Sequence, residues 1–82
     1  MAKRYITVRV VNSSGKAADY ARVNLYVYQF AASGSFEKHT NSDGVAEFDV
    51  DIDDGAEISV SVNGDEKVRR GSIKTPYTVS IQ

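Results

Sequence analysis

The most informative stretch of the chain runs from Asn41 to Ile52. Its first four residues, Asn-Ser-Asp-Gly, predict a turn, because Asn, Ser and Asp hydrogen-bond to nearby backbone groups and Gly accepts a positive φ at no steric cost. After the turn, apolar residues alternate with acidic ones, beginning at Val45 and continuing through Phe48 to Ile52. This period of two predicts a strand with one face in a core and the other in water.

Six further strands are predicted, most of them by alternation of the same kind and two short ones by their position next to predicted turns. In chain order they cover Arg4–Val11, Ala21–Phe30, Ser35–Thr40, Glu57–Val62, Glu66–Arg70 and a last strand that begins at Pro76 and carries Tyr77, Val79 and Ile81 on one face. No segment keeps a helical period over three turns, and the strands follow one another at the regular spacing of an all-β sandwich. We therefore predict a single β-sandwich domain over residues 1–82, since a chain this short cannot hold a second core.

Two short motifs define the predicted hairpins in the second half of the chain. Asn63-Gly64 is the strongest hairpin signal, because both residues tolerate the positive φ that a type I′ turn requires. Asp53-Asp54-Gly55 predicts a second tight turn for the same reason. The strand Glu66–Arg70 is highly charged, which suits a sheet edge that must resist pairing with other molecules.

The charge balance and the missing residue types exclude several classes of function. Ten basic and eleven acidic residues leave a net charge of -1, which gives no general attraction to nucleic acid or anionic membranes. The absence of cysteine excludes disulfides, Cys-based zinc sites and thiol catalysis. No apolar run approaches the roughly 18 residues of a membrane span. The first residues lack the apolar core of a signal peptide, which fits either a cytosolic protein or a mature domain of a longer one.

Aromatic side chains are the most prominent candidate for a binding surface. Tyr26, Tyr28 and Phe30 share one face of their predicted strand, opposite the apolar face that we assign to the core. Tyr5 of the first strand can join them. Aromatic residues in a row can cover a sheet by cross-strand packing. They also form contact surfaces for proteins or stack on sugar rings, so both interpretations stay open, and these four residues are our candidate partner-binding site.

No group of residues forms a recognisable catalytic or metal-binding signature. The acidic segment Asp49–Asp54 resembles a calcium loop only superficially, since Val60 stands where an EF-hand has its bidentate Glu. We interpret the segment as a solvated strand face with a turn, and a weak cation site is the less favoured alternative. His39 is the single histidine, and the chain has no cysteine. Without a second His or a Cys, the residues needed for a metal site or for a Ser-His catalytic arrangement are not present. The basic segment Lys67–Arg70 fits a solvated strand edge better than a nucleic-acid site. For the whole chain, we expect no cofactor, no metal and no enzymatic activity.

Two stretches carry a pattern that is known from other proteins. In Val8–Leu25, a strand leads into a polar turn that ends in Gly15-Lys16, and a short loop then leads to Ala21-x-Val23-x-Leu25. Thr40–Phe48 follows the pattern Thr-x-x-Asp-Gly-x-Ala-x-Phe. Both stretches resemble carboxypeptidase-regulatory-like domains, and transthyretin-like domains and the B-type repeats of collagen adhesins share their plan.

The resemblance implies a fold and a general role. The fold is a seven-stranded Greek-key β-sandwich of the immunoglobulin-like or prealbumin-like kind. Such domains usually serve as non-catalytic modules of secreted or cell-surface proteins, so we expect a structural or interaction module of a larger or self-associating assembly, with a protein as partner. The alternative is a carbohydrate- or peptide-binding module that uses the aromatic strand face. We expect neither nucleic-acid binding nor membrane insertion, and an extracellular location rests on the resemblance alone.

Overall fold

The computed structural model describes residues 2–29, 34–52 and 55–81, and these residues form seven strands. The strands are β1 (Ala2–Val11), β2 (Arg22–Tyr28), β3 (Gly34–His39), β4 (Val45–Ile52), β5 (Glu57–Val62), β6 (Asp65–Ser72) and β7 (Tyr77–Ser80). Their number and order confirm the prediction from the sequence. The clearest difference is β6, which continues through Gly71 and Ser72, beyond the predicted end of that strand at Arg70. Among these residues there is no helix that could cross a membrane.

The strands form two sheets in a sandwich-like arrangement. The three-stranded sheet has the order β4-β1-β7, and the four-stranded sheet has the order β3-β2-β5-β6. Neighbouring strands are antiparallel, except that β7 runs parallel to β1. The charged strand β6 lies at a sheet edge as predicted, and β3, β4 and β7 form the other edges.

The core lies between the two sheets and is built from alternate residues of the strands. Phe48 of β4 is its largest fully enclosed side chain, at 1% exposure. The predicted core face of the second strand is confirmed, since all its members are buried: Ala21, Val23, Leu25 and Val27. In β4, strict alternation places Ala46 in the core and leaves Val45 only half buried. Including Val45 in the alternating apolar face of this strand was therefore wrong.

The hairpin turn at Asn63-Gly64 has the predicted backbone conformation. The φ angle is +52° at Asn63 and +90° at Gly64, and a type I′ turn requires positive values at both positions. The side-chain oxygen of Asn63 also accepts a hydrogen bond from the backbone N–H of Arg22 (3.0 Å), which ties the turn to the start of β2. Of the turn predicted at Asp53-Asp54-Gly55, only Gly55 is among the described residues, and its φ is +86°.

Candidate interaction surface

The aromatic residues predicted as a binding surface do not lie together. Tyr5 belongs to β1 in the three-stranded sheet, whereas Tyr26 and Tyr28 belong to β2 in the four-stranded sheet. Because the core lies between the sheets, the outward faces of β1 and β2 point to opposite sides of the domain. Tyr5 therefore does not extend the aromatic face of β2. Phe30, the fourth predicted residue, lies outside the described residues.

Tyr28 is held by neighbouring side chains of its own sheet. Its hydroxyl forms a hydrogen bond with the hydroxyl of Ser59 (3.0 Å), and the guanidinium of Arg70 lies over its ring, 4.3 Å from the centroid. Glu57 fixes Arg70 in this position, with 2.8 Å between Nε of the arginine and Oε1 of the carboxylate. Ser59, beneath this cluster, is only 2% exposed. These contacts favour sheet cover as the role of Tyr28.

Tyr26 and Tyr5 are less tightly held. Tyr26 lies beside small serines of the two neighbouring strands and is half buried. Tyr5 is 58% exposed on the outward face of the other sheet, directly opposite Asp49 of β4. Lys3 also reaches Asp49, with 3.7 Å between Nζ and Oδ2, so the Tyr5 ring has charged groups beside it. A partner-binding role for either tyrosine stays a prediction.

The most exposed large apolar residue in the described part of the chain is Tyr20, which the sequence analysis did not single out. It is 73% exposed, and its ring stacks on that of His39, with 4.3 Å between the centroids and 15° between the planes. Its φ of +57° lies in the left-handed region that bulky L-residues rarely adopt. The one sequence signal for Tyr20 is its position, an aromatic residue in a polar loop outside any alternating strand.

A buried threonine holds the backbone around Tyr20. Thr40 is 3% exposed, and its Oγ1 accepts a hydrogen bond from the N–H of Ala21 (2.8 Å) and donates one to the carbonyl of Ala18 (2.6 Å). The backbone of Thr40 also donates to the Ala21 carbonyl (2.9 Å) and accepts from the N–H of Tyr20 (3.1 Å). These bonds join the loop before β2 to the residue that follows β3, so Tyr20 and His39 are held side by side.

Two turns of the same construction stand next to this loop. They begin at Asn12 and Asn41, and in each the Asn side-chain oxygen accepts hydrogen bonds from the backbone N–H groups two and four residues later, at 2.9 and 3.1 Å. Gly44 of the second turn has a φ of +76°, and a Cβ there would lie 2.5 Å from the carbonyl oxygen of Val10. Glycine is therefore required where the two turns meet.

A cleft of about 410 Å³ opens on one side of the sandwich, between the start of β6 and the residue after β7. Its lining combines apolar side chains with an amide, a carboxylate and an ammonium group: Val62, Ile81, Asn63, Asp65 and Lys67. Among the described residues, no three His, Cys, Asp or Glu side chains lie close enough to hold a metal ion. Asp53 and Asp54 of the predicted acidic segment lie outside that part of the chain.

No protein-family model matches the chain, and no curated protein is significantly similar to it.

Proposed function

We propose that this domain is a non-catalytic interaction module of a larger or self-associating assembly, and that it contacts a protein partner through the ring of Tyr20. The observation that carries the proposal is that Tyr20 combines a left-handed backbone with 73% exposure. The left-handed conformation costs a bulky residue about 1–2 kcal/mol. Burial of the ring would offset this strain, because hydrophobic stabilisation grows with the area removed from water. The exposed ring of Tyr20 offsets little of it within the domain.

The surroundings of Tyr20 support a role in binding. A strained backbone conformation persists only where the surrounding structure holds it in place, and residues with such conformations cluster at functional sites. Thr40 supplies that neighbouring structure, and His39 fixes the orientation of the ring. Tyrosine is well suited to such a contact, because it presents a large rigid surface with few rotatable bonds.

For the fold, we propose the Greek-key plan of immunoglobulin-like and prealbumin-like sandwiches. The resemblance to carboxypeptidase-regulatory-like domains supports it, because the matching residues fall on turns and core positions such as Gly44 and Phe48. The same resemblance supports a location outside the cell or on its surface.

The second candidate function is carbohydrate or peptide binding on the outward face of the three-stranded sheet. Tyr5 favours it, because an exposed ring with hydrogen-bonding groups nearby suits stacking on a sugar. Asp49 lies across from Tyr5, and Glu47 accepts a hydrogen bond from the Thr7 hydroxyl (3.5 Å) on the same face. Binding sites usually combine apolar surface with a small number of such polar groups.

Panels of peptides and glycans, screened with the wild type and three variants, test both candidates. Tyr20→Gly removes the proposed contact, Tyr5→Ser removes the alternative one, and Tyr26→Ser tests the sequence-predicted face. We expect peptide binding that Tyr20→Gly abolishes and the other two variants retain. Glycan binding lost only in Tyr5→Ser would establish the alternative, and ligand binding that survives Tyr20→Gly would contradict the proposal.

A further inference from the structure

The two sheets of the sandwich differ by one strand. The four-stranded sheet ends at β3, and the three-stranded sheet ends at β4. These two edge strands contact each other on one side of the domain. All six residues of β3 are exposed, although alternate residues lie opposite buried core residues of β2. The three-stranded sheet therefore stops short of β3 and leaves its inward face uncovered.

Phe36 is the apolar side chain that this arrangement leaves in water. It lies opposite Leu25 of β2, which is fully buried, so the Phe36 ring is on the inward face of its sheet. It is nevertheless 43% exposed, whereas Phe48 of β4 is 1% exposed. Lys38 shares this face, and its flexible chain can carry the ammonium group to water. A strand added beside β4 continues the three-stranded sheet over the inward face of β3 and buries the Phe36 ring.

The edge of β4 has backbone groups to which such a strand can bond. At the start of β4, the N–H and C=O of Val45 point away from β1 and bond to Asn41 of the preceding turn (3.1 and 3.0 Å). Backbone groups alternate in direction along a strand, so those of Glu47, Asp49 and Asp51 also point away from β1. No hydrogen bond of these groups is found in the part of the chain that the structure describes. They are therefore available to an added strand.

The side chains along this edge carry negative charge. Glu47, Asp49 and Asp51 are exposed on the outward face of β4, and the residues between them are buried. Lys3 pairs with Asp49, with 3.7 Å between Nζ and Oδ2, but within the described residues the other two carboxylates have no ion pair. Both Lys3 and Arg9 belong to β1, on the far side of β4 from this edge. In an added strand, alternate side chains lie directly beside the three carboxylates, so Lys or Arg is favoured there and Asp or Glu is repelled.

We propose that β4 binds an extended segment of a protein partner as an additional strand of the three-stranded sheet. Lys or Arg at alternate positions of this segment faces the three carboxylates, and an apolar residue between them packs on Phe36. In this mode of recognition, backbone hydrogen bonds give affinity and alternate side chains give specificity. Charge disfavours a second copy paired through its own β4, because carboxylates would then lie against carboxylates. Charged edges prevent unspecific pairing, and here the same charges select the partner.

Synthetic peptides as long as β4 test the proposal. In the first peptide Lys and Val alternate, in the second Glu and Val alternate, and the third holds the residues of the first in two blocks, so that its charge is equal but its pattern is lost. Fluorescence anisotropy of the labelled peptides measures binding, and NMR measures the backbone amide exchange of the protein. Each peptide is tested with the wild type and with the charge-reversed variant Glu47→Lys with Asp51→Lys. Asp19→Lys with Glu66→Lys is the matched control, because it reverses two exposed carboxylates away from β4.

We expect the wild type to bind the alternating Lys peptide more tightly than either of the others, with slower exchange at the N–H groups of Glu47, Asp49 and Asp51. Charge reversal on β4 should weaken this binding about tenfold or more and confer binding of the Glu peptide, because like charges that face each other across a contact repel. The control variant should bind as the wild type does. Phe36→Ser should weaken the binding and keep the preference for Lys over Glu.

The proposal would be overturned if the alternating Lys peptide did not bind, if the block peptide bound equally well, or if charge reversal had no effect. Protection of the same amides without peptide, as the wild type pairs with a second copy at rising concentration, would also overturn it. The role of Tyr20 fails separately. Tyr20 lies in the loop before β2, so Tyr20→Gly should bind the Lys peptide as the wild type does. Panels screened with the charge-reversed protein report on Tyr20 alone, because that variant no longer binds basic segments at β4.

Discussion

The residues of this domain are of two kinds. Some are buried and stabilise the fold, and others have side chains that are exposed on its surface. Phe48 and Thr40 belong to the first group, since both are almost fully buried between the sheets or at their end. Tyr20 belongs to the second group, because its ring is largely in water and its backbone is strained. Substitutions of Phe48 or Thr40 should therefore lower the stability, whereas Tyr20→Gly should not.

Phe48→Ala should lower the free energy of unfolding by about 3–5 kcal/mol, the range for deleting a buried aromatic side chain. A domain of this size has only a small stability margin, so the variant should be partly unfolded at room temperature. Urea denaturation followed by circular dichroism measures the loss. A loss below about 1 kcal/mol would mean that the Phe48 ring is not enclosed as described.

Thr40→Val should cost about 1–3 kcal/mol, because it leaves the N–H of Ala21 and the carbonyl of Ala18 without the partner that Oγ1 provides. Thr40→Ser keeps the hydroxyl and is the matched control, with a much smaller expected loss. Equal stability of the two variants in urea would show that the hydroxyl does not hold the loop.

At the scale of elements, the alternation of apolar and polar residues was sufficient to place the strands that have one face in the core. It works where alternate residues of a strand lie in the core, as in β2 and β4, and it marked the β4 residues from Phe48 to Ile52 correctly, whereas all residues of β3 are exposed. It could not say which strands share a sheet, since the pairing of β1 with β4 and of β2 with β5 depends on contacts between distant segments. For this reason Tyr5 was expected beside Tyr26, although their strands lie in different sheets.

The cluster around Tyr28 shows how one element stabilises its neighbours. Tyr28→Phe removes the bond to the nearly buried Ser59 hydroxyl, and we expect a loss of about 0.5–1.5 kcal/mol of unfolding free energy. Tyr26→Phe is the control, because no hydrogen bond of the Tyr26 hydroxyl is found among the described residues. Thermal unfolding compares them, and a Tyr28→Phe variant as stable as the control would argue against the sheet-cover role.

At the scale of the whole molecule, sequence patterns predicted the architecture better than the site. Core positions repeat with the period of the strands, so they leave a regular signal in the sequence. The candidate site depends instead on a single backbone angle at Tyr20 and on a ring contact with His39, which lies at the end of another strand. Neither feature has a periodic signature.

The central claim is that the exposed ring of Tyr20 serves to bind a partner and does not stabilise the fold. The free energy of unfolding of Tyr20→Gly tests this claim most directly. Glycine relieves a strain of about 1–2 kcal/mol. It also gains about 0.5–1 kcal/mol of conformational freedom in the unfolded chain, which offsets part of that relief.

We therefore expect Tyr20→Gly to be as stable as the wild type or up to about 1 kcal/mol more stable in urea denaturation. Tyr20→Ala, which loses the ring but keeps the strained backbone, should be less stable than the glycine variant. A loss of more than about 1 kcal/mol in Tyr20→Gly would contradict the account, since it would mean that the stacked ring contributes to folding.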